Sequence, residues 1–304
     1  MNGNMVQFGL WPNCSNACDF CLLKNKVFLS KEKMIQEIRN TRKNIDVIDW
    51  TGKFSYGISL LGGEIYFTQD REIQTEYLAL VNDIIEKILK VSPNPKVRYS
   101  TVTNGLYDPT FLFEVVDKIK DAVGIKCVDV NFSYDLKYRF KTDERRKLCL
   151  ENINKFHDRY DYDVGVQMIL TQYLIDYVRE GKFDINKFLK EEIPGCSLCL
   201  LYPHKVRTGK ILTDFNFNRN DFLWFLQYLR EENPFVFRSF VESTRNSGIF
   251  KYTGLYDKGG NTNQQPVLSD DKEIINNKCG HSVLYQCYSD SDKCMLCDIN
   301  NFDE

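Results

Sequence analysis

The chain has 304 residues, with 40 Lys and Arg against 42 Asp and Glu and a formal net charge of -2. The chain therefore has no excess positive charge that would attract nucleic acid or an anionic membrane, so we expect neither as a partner. The start of the chain lacks a signal-peptide pattern, and no stretch approaches the roughly 20 apolar residues of a membrane span. We therefore expect a cytoplasmic protein.

Short apolar runs alternate with longer segments of helical period along the first 230 residues. The runs that predict strands cover 6–11, 56–61, 97–102, 126–133, 163–170 and 196–203. The segments that predict helices cover 30–44, 72–90, 108–122, 142–157, 184–192 and 220–231. The segment 72–90 has one continuous apolar face, which is typical of a helix packed on a sheet. Six strand–helix repeats predict a parallel sheet.

The alternation stops after about residue 232. The apolar segments 234–243 and 248–256 suggest extra strands, and the polar segment 257–266 reads as a loop. We expect a strand–helix domain over 1–215, a helix and connecting extension over 216–275, and a Cys-rich tail over 276–304. The tail is too short and too polar to build an apolar core, so a metal is expected to hold it.

Eleven cysteines are present, and most are grouped. In a reducing compartment grouped thiols are more plausible as metal ligands than as disulfides. Cys14, Cys18 and Cys21 are spaced C-x3-C-x2-C directly after the first predicted strand, at the edge where parallel α/β folds carry their chemistry. Structural zinc is normally four-coordinate, whereas three thiolates on a four-iron cluster would leave one iron open. A zinc site and a coincidence are the alternatives.

The first cysteine group, with Phe20 before its third cysteine, resembles the signature of the radical S-adenosylmethionine (radical SAM) enzymes. The resemblance implies a [4Fe-4S] cluster on Cys14, Cys18 and Cys21, with SAM on the fourth iron. In that family the reduced cluster cleaves SAM to methionine and a 5'-deoxyadenosyl radical, which abstracts a hydrogen atom from the substrate. The resemblance further implies a partial TIM-like (β/α)6 barrel with a small Cys-rich C-terminal extension, and an electron donor of the flavodoxin or ferredoxin type.

Motifs at the next strand ends extend this resemblance. The LLGGE segment after the second strand matches the family's GGE motif, and TNG ends the third strand. The fourth strand ends in an S-x-D pattern, and the fifth has residues suited to an adenine pocket. The residues so assigned to SAM are Gly62, Gly63, Glu64, Asn104, Ser133, Asp135, Arg145 and Ile169.

Each of these motifs has a plainer interpretation when it is taken alone. GGE and TNG are ordinary turn sequences, and Ile169 suits a core position equally well. Arg145 lies twelve residues beyond Ser133, the family spacing for a SAM-carboxylate contact, but it also reads as an exposed helix charge. Arg139 is its rival for that role. The order of the motifs along the strands is more specific than any one of them.

The remaining cysteines divide into a tail group and isolated residues. The tail group is C-x7-C-x6-C-x2-C: Cys279, Cys287, Cys294 and Cys297. It resembles a shortened form of the Cys-rich extension of SPASM and twitch radical SAM enzymes, which implies an auxiliary iron–sulfur cluster; a structural zinc and free thiols are the alternatives. His281 is a further ligand candidate. Cys127, Cys149, Cys196 and Cys199 are expected to be buried core thiols, and the alternative for Cys196 or Cys199 is a place in the auxiliary site.

We expect a radical SAM enzyme whose substrate is a peptide or protein, by analogy with the SPASM and twitch groups. A nucleotide or other small metabolite is the alternative substrate, because a basic segment at 204–210 follows the sixth strand. A zinc-holding module without catalytic activity is the alternative function. The GGE and S-x-D motifs argue against that module, because a zinc site needs neither.

Overall fold

The computed structural model describes residues 4–14, 16, 18, 21, 28–47, 56–91, 98–201, 218–240, 275–276 and 282–283. Several predicted features lie outside the described residues: the strand at 248–256, the loop at 257–266, the basic segment at 204–210 and the four tail cysteines. No helix in the described part of the chain is long and apolar enough to cross a membrane.

Six parallel strands form the central sheet. They are β1 (Asn4–Gly9), β2 (Tyr56–Leu61), β3 (Arg98–Thr103), β4 (Val128–Tyr134), β5 (Gly165–Ile169) and β6 (Ser197–Leu201). Each strand pairs in parallel with the next along the chain, in the order β1-β2-β3-β4-β5-β6. Because parallel crossovers are right-handed, this unbroken order keeps the connecting helices on one face. The predicted partial TIM-like (β/α)6 barrel is confirmed, with every strand's carboxyl end on one rim.

Helices connect the strands and cover the outer face of the sheet. They are α1 (Lys31–Val47), α2 (Arg71–Val91), α3 (Thr110–Val123), α4 (Asp143–Tyr160), α5 (Gln172–Arg179), α6 (Ile185–Lys187), α7 (Arg219–Glu232) and α8 (234–240). A five-residue π-helical turn, Phe188–Glu192, continues α6. Helix α1 packs on α2, and α2 packs on α3. The predicted helices are observed within a few residues of their expected bounds, and α5 is an addition.

The apolar face predicted for α2 is the one that the structure buries. Its members are all at most 1% exposed: Ile73, Tyr77, Leu80, Ile84 and Ile88. Each such side chain contributes about 1.5–3 kcal/mol when it is fully removed from water. The core therefore lies between the sheet and the helices, and it fixes the strands whose carboxyl ends form the rim.

The strand predicted over 234–243 is wrong, because the described part of this segment, 234–240, is helical. Val236, Phe237 and Phe240 are buried while Phe235 is 84% exposed, a spacing that suits a helical turn and not an alternating strand. Pro234 is tolerated because it is the first residue of the helix, where its missing N–H removes no internal hydrogen bond.

The isolated cysteines are only partly as expected. Cys127 and Cys149 are buried, whereas Cys196 and Cys199 are half-buried. Cys196 precedes β6, so it lies outside the regular alternation of the strand. The expectation of buried core thiols is therefore confirmed for the first pair and wrong for the second.

Candidate metal and cofactor site

The residues that the sequence assigns to the site lie at successive strand ends along one rim. Cys14, Cys18 and Cys21 follow β1, Gly62, Gly63 and Glu64 follow β2, Asn104 follows β3, Ser133 and Asp135 lie at the end of β4, and Ile169 ends β5. Arg145 lies in the first turn of α4, beyond the β4 rim. Parallel strands deliver these residues to one edge because their carboxyl ends align.

The glycines after β2 bring that loop directly onto the backbone that leads into Cys14. Gly63 donates its N–H to the carbonyl oxygen of Trp11 at 2.7 Å, and Glu64 donates to that of Asn13 at 2.8 Å. The Trp11 indole N–H returns a hydrogen bond to the Glu64 carbonyl oxygen at 3.2 Å. A Cβ atom at Gly63 would lie only 2.3 Å from the carbonyl oxygen of Pro12. Only glycine fits this close approach.

The Glu64 carboxylate joins the loop after β2 to the end of β3. Its Oε2 atom accepts the backbone N–H of Asn104 at 2.6 Å. Its Oε1 atom accepts the Thr103 hydroxyl at 2.9 Å and the Tyr66 N–H at 3.2 Å. The residue is 2% exposed. Burial raises the pKa of Glu64 to about 7, and these hydrogen bonds act in the opposite direction.

Two reciprocal hydrogen bonds join Asn13 to Leu29, the residues that flank the cysteine-bearing segment, and we call this pair the clamp. Asn13 donates its side-chain N–H to the carbonyl oxygen of Leu29 at 2.8 Å, and its Oδ1 atom accepts the Leu29 N–H at 2.8 Å. Asn13 is buried and Leu29 is half-buried, so water has reduced access to these two hydrogen bonds. Asn13 belongs to no sequence motif, and only its partner sixteen residues away reveals its role.

Amide N–H groups surround two of the three cysteine sulfurs. Asn16 donates its backbone N–H to Cys14 Sγ at 3.3 Å and its side-chain N–H to Cys18 Sγ at 3.4 Å. Asn104 donates its side-chain N–H to Cys14 Sγ at 3.6 Å. Such donors favour the thiolate, which is the form that binds metal.

Burial favours the protonated, neutral thiol and so opposes the effect of these N–H donors. It raises the pKa of Cys14 to about 11, the Asn16 N–H lowers it, and the nearby Glu64 charge adds to the increase. Burial is also the main cause that raises the pKa of Cys18, while the positive charge of Arg139 lowers it. A bound metal would supply the positive charge that these two buried sulfurs need in order to ionise.

Asp135 shapes the turn after β4 and directs Arg139 toward the cysteines. Its Oδ1 atom accepts the backbone N–H groups of Lys137 at 2.8 Å, of Tyr138, and of Arg139 at 3.1 Å. The Arg139 guanidinium donates from Nη1 to Cys18 Sγ at 3.7 Å. Asp135 is buried, and burial raises the pKa of its carboxyl. The S-x-D aspartate thus acts on the backbone of its own turn.

The donor set fits a cluster that uses one thiolate per iron. Among the residues that the structure describes, no three Cys, His, Asp or Glu side chains converge so as to hold a single metal ion. A [4Fe-4S] cluster with one open iron takes one thiolate on each of three irons, and the three cysteines supply that number. The Asn16 Oδ1 atom is buried and meets no donor within the described ranges, so a bound ammonium or hydroxyl group would satisfy it.

The other residues assigned to SAM lie at the ends of β4 and β5 or in the first turn of α4. Ser133 is buried near the end of β4, and Ile169 is half-buried at the end of β5. The backbone N–H of Arg145 donates to the Thr142 hydroxyl that caps α4, at 3.4 Å. The SAM contacts of these residues stay predictions, whereas Arg139 contacts the sulfur of Cys18.

The comparisons with known proteins give limited similarity. No family model matches the chain, and no curated protein matches it. Three solved structures of anSMEcpe are similar. They are the native protein with bound AdoMet (TM-score 0.44, 14% identity, 76% of this chain and 60% of that chain), a hexahistidine-tagged form with AdoMet (0.45, 15%, 75% and 59%), and the native protein with AdoMet and the Kp18Cys peptide (0.43, 16%, 75% and 59%).

The similarity thus extends over about 60% of the length of those solved chains. Because the TM-scores are below 0.5 and at most 16% of residues are identical, we base the functional proposal on this chain's own residues.

Proposed function

We propose that this protein is a radical SAM enzyme in which Cys14, Cys18 and Cys21 hold a [4Fe-4S] cluster and SAM binds at the open iron. When bound, these cofactors supply one-electron cleavage of SAM and hydrogen-atom abstraction from a substrate. The observation that carries the proposal is that side chains from the ends of β3 and β4, Asn104 and Arg139, donate to the sulfurs of Cys14 and Cys18.

Buried acids from two of the strand-end motifs hold these two donors in place. The GGE motif reaches the cysteines through Glu64, which holds the Asn104 backbone while the Asn104 side chain donates to Cys14. The S-x-D motif reaches them through Asp135, which holds the Arg139 backbone while the guanidinium donates to Cys18. Outer N–H donors of this kind accompany zinc–thiolate sites as well as iron–sulfur clusters, so the metal content of the protein is what separates the two.

The protein's own groups would position the cofactors and keep water from them. The close packing of Gly63 on the backbone before Cys14 closes one side of the site. The clamp between Asn13 and Leu29 would hold together the two ends of the segment that carries the cysteines. For SAM itself we propose the predicted contacts of Gly62, Ser133 and Arg145, with Ile169 beside the adenine.

For the substrate we propose a peptide or protein. The support is the resemblance of the C-terminal cysteine group to the extensions of SPASM and twitch enzymes, with an auxiliary iron–sulfur cluster or a zinc ion on those four thiols. We propose a flavodoxin or ferredoxin type of protein as the electron donor, because the chemistry needs one electron for each SAM cleaved.

Anaerobic reconstitution with iron and sulfide tests the proposed cluster. The wild-type protein should turn brown and bind about four irons at the first cysteine group. Cys14→Ala should lose that uptake, whereas the matched control Cys127→Ala removes a buried thiol outside the group and should keep it. Zinc bound stoichiometrically with no iron uptake would overturn the proposal. A variant with alanine at all three cysteines reports the metal of the tail separately.

Product analysis tests the chemistry once the cluster is loaded. With SAM and a reductant, the wild-type protein should release 5'-deoxyadenosine, and Cys14→Ala should release none. Peptides should stimulate this release more than nucleotides or small metabolites do. Stimulation by nucleotides alone would contradict the peptide assignment while leaving the enzyme class intact.

A further inference from the structure

Arg139 is the cation that the fold brings to the cysteine sulfurs. Its guanidinium Nη1 atom lies 3.7 Å from Cys18 Sγ, although the two residues are 121 positions apart in the sequence. Arginine keeps its charge at all relevant pH values, so this contact is a permanent positive charge beside a buried sulfur. No sequence motif singles out this role, because the contact exists only after β4 has joined the sheet.

The same guanidinium also acts on the two buried carboxyls of the rim. Its charge lowers the pKa of Glu64 and of Asp135, opposing the increase that burial causes in both. Without Arg139, the centre around Cys18 would keep both acidic groups and lose one of the cations that act on them, Arg146 being another that lowers the pKa of Asp135. The electrostatic potential at the sulfur would therefore become more negative.

We propose that Arg139 is the charge partner of the Cys18 thiolate and raises the reduction potential of the cluster bound there, with Asp135 as the residue that positions it. This inference rests on the proposed function, because it concerns the cluster proposed above. It assigns Arg139 to the cluster side of the site and leaves Arg145 as the predicted SAM contact.

The physical reason is that reduction adds one negative charge to the cluster. The oxidised cluster takes one electron from a chemical reductant such as dithionite, or from the protein donor, and no bond forms or breaks. A nearby positive charge and N–H donors to the sulfurs favour the more negative state. Because the sulfur is buried, water screens this interaction less than it would at the surface.

The turn after β4 explains why Arg139 holds this position. Asp135 Oδ1 accepts three consecutive backbone N–H groups, and the last of them belongs to Arg139 itself. This arrangement fixes the direction in which the backbone leaves the turn, as aspartate side chains often do. The carboxyl therefore acts through Arg139 and not as a ligand.

Potentiometric titration of the reconstituted protein without SAM, followed by electron paramagnetic resonance, tests the charge. The signal to follow is the one that Cys14→Ala loses, and iron is counted first. In Arg139→Gln the midpoint should be more negative, so that at a fixed potential the ratio of reduced to oxidised cluster falls about fivefold or more, corresponding to about 1 kcal/mol. Arg139→Lys should restore part of the loss.

Controls separate this charge from other causes. Arg159→Gln removes an exposed arginine at the far end of α4, which pairs with Asp117, and should leave the midpoint unchanged. Arg139→Met provides a second neutral variant if the glutamine variant does not fold. A full cluster with a wild-type midpoint in the neutral variants, or a shift in Arg145→Gln alone, would overturn the inference. If the wild type takes up no iron, the proposed function itself fails.

A double-mutant comparison tests the positioning role of Asp135. Asp135→Asn keeps an oxygen that accepts the three N–H groups, whereas Asp135→Ala removes it. The shift caused by Arg139→Gln should be full in the Asn background and clearly smaller in the Ala background. A purely structural role would lower iron content in the Ala background without reducing that shift. Equal shifts in both backgrounds would refute the positioning role.

Discussion

We predict that replacing the buried Glu64 changes how the free energy of unfolding depends on pH. Burial raises the pKa of this carboxyl from an ordinary value of 4.5 to about 7 in the folded protein. Between these two values the native state binds more protons than the unfolded state, so the native state loses stability as the pH rises. Glu64→Gln is neutral at every pH and resembles the protonated acid, so the variant escapes this loss.

The size of the effect follows from the two pKa values. At pH 7 the linkage relation gives a cost of about 3 kcal/mol for the wild type relative to its stability well below pH 4.5. The free energy of unfolding of Glu64→Gln minus that of the wild type should therefore rise by about 3 kcal/mol between pH 4 and pH 7. Most of this rise falls between pH 5 and 7.

Urea unfolding of the metal-free protein at a series of pH values is the assay. Asp70→Asn is the control, because the Asp70 pKa is lowered by its hydrogen bond to Lys31 and the carboxylate is ionised in both states above pH 5. The free energy of unfolding of Asp70→Asn minus that of the wild type should stay constant from pH 5 to 7. A flat difference for Glu64→Gln over the same range would refute the reasoning that burial dominates at Glu64.

Two further predictions concern the segment that carries the cysteines. Gly63→Ala should lower the free energy of unfolding by about 2 kcal/mol or more, measured in urea, because its Cβ would lie 2.3 and 2.4 Å from two backbone carbonyl oxygens; stability equal to the wild type would contradict this close approach. Asn13→Ala removes both hydrogen bonds to Leu29 and should accelerate exchange of the Leu29 amide hydrogen. Gln36→Ala, an exposed side-chain change on α1, should leave that rate unchanged, and slow exchange in Asn13→Ala would argue against the clamp.

The order of strands and helices was predictable because apolar periodicity is a local property of the sequence. The predicted bounds of β2 match the structure, and those of α2 differ by one residue at each end. The segment 234–240 was misread because a short apolar run suits a strand and a buried helix equally well. Helix α5 was missed because eight residues give too few turns to establish a period.

The candidate site was predictable only in its motifs. Cysteine spacing and the strand-end sequences are visible in the chain, but the contacts among them are long-range. Asn13 and Asn16 carry side chains that are common in loops, so nothing local distinguishes them, and Arg139 was a candidate for the SAM carboxylate but not for a contact with Cys18. Their roles depend on which loops the parallel sheet brings together, and that information lies in the fold.

The unbroken strand order has a consequence for how the protein is made. Because each strand pairs with its immediate successor, every βα unit can dock on the one synthesised just before it. The groups described above that contact the sulfurs of Cys14 and Cys18 all belong to residues no later than Arg139. These sulfur-contacting groups can therefore come together once β4 and its turn have emerged, before the last two strands complete the sheet.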